Sequence, residues 1–364
     1  MWALEWGLSE RVHASPELPS FGSSESSAAI VVNAARDHAR AIEWALSAGV
    51  PVLVEKPVTL TGAESQRLAD LARQRSVHFA SAHIFLFAGY IDRFSALVAD
   101  AGRVRAIRVR WTDPQSENRY GEQKQYDPGL PIFMDWLPHV MSIVGTLTSD
   151  EPEKCEIAKL LRGGAHLELT LMLGDIPCSI QLIRNSDQRR RIVEVDVRHD
   201  SLRLDFSREP GTVTCGGATM SGDPDWGGKA RPSSQMLSGF LKWAAGGDFD
   251  ARLDIETGLQ ACRLIDVVAA RYYAILMPWL IDRLSSPGPI DEDVRYALCE
   301  ILQYERSYPR DELELQIERI RDRLLGASHT QLMRELAMVS DSAKQLRIIA
   351  CGTTNSGLRK NGQC

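Results

Sequence analysis

Two short stretches of this sequence hold residue types able to move a proton. In "DWLPH" an aspartate and a histidine, Asp135 and His139, stand four residues apart. On a helix that spacing stacks both side chains on one face, so a carboxylate can orient an imidazole. A histidine held this way can accept a proton from a hydroxyl. In "GVPVLVEKPVTL" the apolar run Val52-Leu53-Val54 empties into Glu55-Lys56-Pro57. Lysine is seldom set at a core edge without a partner, and proline stops a strand from continuing in a sheet interior. An ammonium group there could stabilise an oxyanion or relay the proton the histidine takes. With a nicotinamide ring beside them, the three groups would suit hydride transfer between an alcohol and a carbonyl. Each pattern alone has a plainer meaning, a helix-surface contact for the Asp–His pair and a turn for Lys-Pro.

The elements that must position these groups begin as strand, helix, strand, helix, strand. "AIVVN" reads as a buried strand. "DHARAIEWALSAG" reads as a helix capped by Asp37, with an Ile42/Ala45/Leu46 stripe and Gly49 as its stop. "VPVLVE" is the next strand, Thr61 with Glu64 a capping-box pattern opening "GAESQRLADLARQR", and "SVHFASAH" a third strand. Such alternation implies a parallel sheet with right-handed crossovers, whose strand C-termini are where α/β proteins hold ligands. After the helix "YIDRFSALVADAG" the period becomes two. Ile107, Val109 and Trp111 alternate with Arg108 and Arg110, and the runs starting at Leu167, Val193 and Leu202 follow the same rule. That reads as an antiparallel sheet with one wet face. The helices "PIFMDWLPHVMSIVGTL" and "SQMLSGFLKWAAGG" are inserted between its strands. The basic run "RNSDQRRR", Arg184 to Arg191, reads as a solvated hairpin. From Asp291 the chain turns helical and charged, with Leu313, Ile317, Ile320 and Leu324 as an apolar stripe that packs on the body or on a partner.

Composition narrows the classes. A chain of 364 residues with 44% hydrophobic and 25% charged residues can bury a sizeable core in two domains. A net charge of −6 gives no reason to expect nucleic acid or an anionic membrane as partner. The seven cysteines form no CxxC pair, which argues for reduced thiols in a cytoplasm and against a zinc site or other metal centre. "MWALEWGLSER" carries charges too early for a signal peptide, and the apolar run "AILMPWLI" is short of a membrane span. The expected partner is a small molecule.

Taken together, the EKP stretch, the later D-x-x-x-H stretch and their setting resemble the Gfo/Idh/MocA family of oxidoreductases, the glucose–fructose oxidoreductase and inositol dehydrogenase group. The resemblance runs roughly from Ala29 to Ala270. It implies an incomplete Rossmann-like parallel sheet (1–83), then an open-faced α+β substrate and oligomerisation domain (84–285), with a helical C-terminal extension (286–364). The fold class is thus α/β plus α+β. By resemblance Lys56 and His139 form the acid/base pair with Asp135 as support, and Asn33, His38, Glu55, Lys56 and Pro57 lie on the cofactor side, His38 in a structural role. NAD or NADP is the implied cofactor, a sugar, cyclitol or related hydroxylated metabolite the substrate, and a homo-oligomer the assembly.

The family normally opens with a strand, a GxGxxG turn and a helix, and nothing like this unit precedes "AIVVN" in the sequence. One stretch offers a substitute. "KQLRIIACGTTNSGLRKNG" near the far end reads as a strand, Leu346 to Ala350, followed by a glycine turn, and could fold back beside Ala29–Asn33. The other reading of the whole chain is a catalytically inactive relative that serves as a binding or assembly subunit.

Overall fold

The computed structural model describes residues 28–119, 122–124, 126–286, 289–302 and 304, with the isolated positions 315 and 318. The expected strand Leu346–Ala350 and most of the stripe from Leu313 to Leu324 lie outside the described residues.

The first element group forms as its periodicity requires. Strands β1 (Ala29–Val31), β2 (Val52–Glu55) and β3 (Phe79–Ala82) pair in parallel in the order β1-β2-β3. Helix α1 (His38–Ser47) returns the chain from β1 to β2, and α2 (Gly62–Arg75) from β2 to β3. The α1 stripe Ile42, Ala45 and Leu46 is buried against Val52, Val54 and Leu68. Gly49 ends the turn after α1 at φ +76°, where a side chain would be strained. Thr61 caps α2 by accepting a hydrogen bond from the Glu64 backbone N–H. Asp37 stands at the start of α1 without capping it: a 3-10 turn, Ala35–Asp37, precedes the helix, and the Asp37 side chain makes no cap hydrogen bond.

Helix α3 (Gly89–Ala101) leads into β4 (Ala106–Pro114) and a small hairpin, β5 (Glu117–Arg119) and β6 (Glu122–Lys124). Helix α4 (Ile132–Val144) follows, then β7 (Pro152–Leu161), β8 (His166–Leu173), β9 (Ile176–Ser186) and β10 (Arg190–Asp196). Strands β11 (Ser201–Asp205), β12 (Thr212–Cys215) and β13 (Ala218–Ser221) complete an eight-stranded sheet in the order β13-β12-β11-β10-β4-β9-β8-β7. Neighbouring strands are antiparallel except β4 and β9, which pair in parallel. The long excursion through α4, β7 and β8 allows this, because a parallel pair needs a long crossover. Alternation decides the two faces. Trp111, Leu182, Val193 and Val195 are buried under helices, whereas Arg108, Glu194 and Asp196 stand on the opposite, wetter face. Each fully buried Leu, Val or Phe of the covered face stabilises the fold by about 1.5–3 kcal/mol relative to leaving it exposed.

Three further helices close the fold: α5 (Pro232–Ala244), α6 (Ile255–Ser285) and α7 (Glu292–Ile301). By length and composition α6 could cross a membrane, which the short run "AILMPWLI" does not suggest. In this fold it lies along both sheets: Leu259 and Cys262 join the core of the parallel sheet, while Ile265, Val268, Tyr272 and Leu276 join that of the larger one. Helix α7, the first part of the expected extension, packs on the body through Val294, Ala297 and Leu298.

Candidate active site

The C-terminal ends of β1, β2 and β3 lie side by side, because all three strands run the same way. The β2 end presents Glu55 and Lys56. Across from it, α4 lies on the covered face of the large sheet and carries the buried Trp136 and the half-buried Asp135 and His139. Between these elements is a cavity of about 370 Å³ that Lys56, Asp135 and His139 all line. That size is within the usual range of small-molecule sites.

The Lys56 ammonium donates to Asp135 Oδ1 at 2.6 Å and to the Asp135 backbone oxygen at 2.9 Å. An ammonium has three N–H donors, so one remains for a substrate oxygen. Asp135 Oδ2 accepts from Arg184 at 2.9 Å. Held between two cations, the Asp135 carboxyl stays well below the usual carboxylate range although burial pushes it up. The sequence pattern pairs Asp135 with His139; the structure gives the carboxylate to Lys56 and Arg184 instead. His139 lies edge-on to Phe85, with ring centroids 5.1 Å apart, and stacks on Trp111 at 5.9 Å. Its Nδ1 is buried and has no hydrogen-bond partner among the described residues. Burial first and the Lys56 charge second hold its pKa well below the usual value, so the ring is neutral at pH 7. His83, behind Lys56 at the end of β3, is pushed down to about 4 for the same two reasons.

The proposed cofactor-side residues occupy the strand ends. Asn33 is exposed just beyond β1, and Pro57 is buried just beyond Lys56. His38 lies between them, with Nδ1 at 2.8 Å from the Pro57 carbonyl and Nε2 at 3.0 Å from the Asn33 carbonyl. Both neighbours are carbonyl oxygens, so a neutral ring donates to one of them and lies against the other, which seats His38 between the two strand ends. The Glu55 carboxylate accepts from the Lys56 backbone N–H at 3.3 Å, and burial raises its pKa.

The basic run Arg184 to Arg191 is not a solvated hairpin. Arg184 is fully buried and Arg191 is 2% exposed. Arg184 stacks over the Tyr126 ring at 4.5 Å, and Arg191 over Trp111 at 4.2 Å. Asp113 Oδ1 accepts from Arg191 at 2.6 Å and from Arg189 at 3.3 Å. A signal for this was in the strand period: Cys178, Ile180 and Leu182 point into the core, and continuing by two reaches Arg184. Stepping back by two from Val195 and Val193 likewise reaches Arg191. The charges misled because arginine is rarely buried without partners. Here the partners, Asp135 and Asp113, come from distant elements. A second cavity of about 820 Å³ shares Phe85, Glu117, His139 and Arg189 with the first and opens towards Trp226 and Arg231.

Comparison with known proteins bears on the fold and on the first stretch of sequence. Residues 10–83 match the model of the Gfo/Idh/MocA group, described as an oxidoreductase family with an NAD-binding Rossmann fold. Over those residues the chain is similar to the Gfo/Idh/MocA family. Over 80 residues the chain is 41% identical to dTDP-3,4-didehydro-2,6-dideoxy-alpha-D-glucose 3-reductase of Streptomyces violaceoruber. That match spans 21% of this chain and 23% of the reductase, less than a quarter of the relative's length. Among solved structures, UDP-N-acetylglucosamine 3-dehydrogenase GnnA from Acidithiobacillus ferrooxidans superposes with a TM-score of 0.60 at 20% identity, over 75% of this chain and 87% of that one. Aldose-aldose oxidoreductase from Caulobacter crescentus gives 0.58 at 16% identity, over 68% and 77%. These two likenesses are of fold. Lys56 lies inside the matched residues and Asp135 and His139 lie outside them; all three line the cavity.

Proposed function

We propose that the protein is an NAD(P)-dependent oxidoreductase that moves a hydride between a nicotinamide cofactor and a sugar, cyclitol or related hydroxylated metabolite. The observation that carries this reading is the convergence of Lys56 and His139, from two separate elements, on one cavity. The lining suits a polyhydroxylated substrate, because it offers fixed donors (Lys56, Arg184, Arg189) and acceptors (Asp113, Glu117) over aromatic faces (Phe85, Trp111, Tyr126). The nicotinamide, when bound, supplies the hydride acceptor or donor. The nicotinamide end fits the residues present: strand ends carrying Asn33, Lys56 and Pro57, and a buried imidazole nitrogen on His139 that awaits a partner.

In the oxidative direction the neutral His139 accepts the hydroxyl proton as the C–H hydride leaves, and the product is the carbonyl compound. The Lys56 ammonium, fixed by Asp135, stabilises the negative charge that develops on the oxygen. In reduction the same groups return the proton. Asp135 stays ionised throughout, which keeps the Lys56 side chain aimed.

The relatives named above act on nucleotide-linked or free sugars, which supports the sugar class. The outer face of the large sheet, with Arg108 and Arg203 interleaved with Glu194 and Asp196, is self-complementary in charge and supports a homo-oligomer built on that face. Fluorescence titration with NADH and NADPH tests the cofactor, followed by a panel of free sugars, cyclitols and nucleoside-diphosphate sugars. Micromolar binding and turnover are expected. A folded protein that binds neither nucleotide sinks the enzyme reading and leaves a non-catalytic subunit.

A further inference from the structure

Helix α7 takes no part in the chemistry above, yet its half-buried Tyr296 reaches Arg184 of the site, and its Glu300 is buried one turn on. The Tyr296 hydroxyl accepts a hydrogen bond from Arg184 at 3.0 Å through the guanidinium nitrogen that also donates to the Leu130 carbonyl. The other terminal nitrogen of Arg184 holds Asp135 Oδ2 at 2.9 Å, and Asp135 Oδ1 holds Lys56. A continuous chain of contacts therefore runs from α7 to the ammonium group at the cavity. One turn further along α7, Glu300 is 2% exposed and accepts from the Tyr272 hydroxyl at 2.6 Å, while its Oε1 has no hydrogen-bond partner among the described residues.

Charge balance gives this arrangement a reason. Lys56 and Arg184 are two cations at one carboxylate, and a fully buried guanidinium without full compensation is costly. Glu300, when ionised, is a second anion nearby, and its charge then acts on Arg184 and on Tyr296. Tyr272, Tyr273, Tyr296 and Arg184 are the titratable or charged groups around Glu300, and burial raises its carboxyl to about 7. At neutral pH it is thus shared between its two states.

The seat of α7 is also built to specification. In the turn after β7, Gly163 and Gly164 have φ of +61° and +107°. A Cβ on Gly163 would lie 1.8 Å from the Asp293 carbonyl oxygen, and one on Gly164 would lie 1.9 Å from the Tyr272 hydroxyl. Only glycine lets the start of α7 and the Tyr272–Glu300 pair come this close.

We infer that α7 is a positioning element of the candidate active site: Tyr296, backed by the buried Glu300 one turn on, holds Arg184, and through it Asp135, where Lys56 needs them. The turnover part of this claim rests on the oxidoreductase reading; the positional part does not. The experiment uses the full chain and the variants Tyr296→Phe, Glu300→Gln and Val294→Ala. The first readout is NMR without substrate, following the Lys56 Cε carbon and the His139 ring, assigned with Lys56→Arg and His139→Gln. Tyr296→Phe and Glu300→Gln should each move both signals. Val294→Ala, which only thins the packing of the same helix, should lower Tm and leave both in place.

Signals unmoved in Tyr296→Phe and Glu300→Gln overturn the inference, as does an equal movement in Val294→Ala. The second readout is steady-state kinetics on the substrate that the panel identifies. Tyr296→Phe should lower kcat about 10-fold at unchanged KM, as expected when a reacting group is slightly misplaced. An unchanged kcat overturns the inference. A wild-type chain without any turnover sinks the oxidoreductase reading instead, and the NMR outcome still decides the position of Lys56.

Discussion

The two faces of the large sheet carry the same chemical pair in opposite surroundings. On the outer face Arg108 meets Asp196 through two hydrogen bonds of 2.6 and 2.7 Å, with the side chains 46% and 33% exposed. On the covered face Arg184 meets Asp135 at 2.9 Å, with the arginine side chain 0% exposed. The outer pair has the shorter bonds, but water and salt screen it, and such pairs contribute little. In the covered pair the aspartate is 20% exposed to the cavity but the arginine has no access to water, so its side of the pair is held in place and can help aim a third group, Lys56. Burial therefore decides which ion pair becomes machinery.

Four experiments would break or sharpen this contrast. Arg184→Met removes the buried partner of Asp135 and should destabilise the fold by about 3–5 kcal/mol, read by urea unfolding. A loss as small as that of a surface change would mean the pair is not sealed from water. Lys56→Ala should lower turnover by about 10²–10⁴-fold, the usual share of a positioned acid or base, while Tm stays within a few degrees. A large fall in Tm would make Lys56 structural.

The third experiment uses pH. His83 and His139 have folded-state pKa values below the ordinary 6.5, so the unfolded chain binds more protons and stability is lost as pH falls below 6.5. Each histidine should remove up to about 1.4 kcal/mol per pH unit, ending near pH 4 for His83. Glu300, raised to about 7, opposes this by favouring the fold as pH falls from 7 towards 4.5. Thermal melts from pH 4 to 8 should show a net acid loss that His83→Gln and His139→Gln flatten. A flat wild-type profile contradicts the burial of both rings. Last and smallest, Arg108→Ala should cost less than about 1 kcal/mol, and 1 M NaCl should erase most of that difference.

Much of the candidate site was legible in particular residues. The strand that ends at Lys56 follows from its apolar run and from Pro57, and the helix that stacks Asp135 near His139 follows from the i, i+4 spacing. The partnership of Asp135 was not legible. Four-residue spacing brings two side chains to one helix face but says nothing of a lysine 79 residues away or an arginine 49 residues away, and those cations win the carboxylate. The arginines of "RNSDQRRR" were misread for a related reason. Composition marks them as solvent-facing, whereas the strand period points Arg184 and Arg191 inward, where Asp135 and Asp113 supply the opposite charges.

By itself the sequence determined the alternation of parallel-sheet elements with helices, the two faces of the later strands and the positions of the reactive residue types. These are consequences of local period and backbone stereochemistry, carried within a few residues. The tertiary structure alone decided that α4 crosses over the β2 end, that β4 and β9 lie parallel, and that Tyr296 on α7 reaches Arg184. Electrostatic partnership inside a protein depends on which groups lose their water together, and that is settled by contacts between residues far apart along the chain.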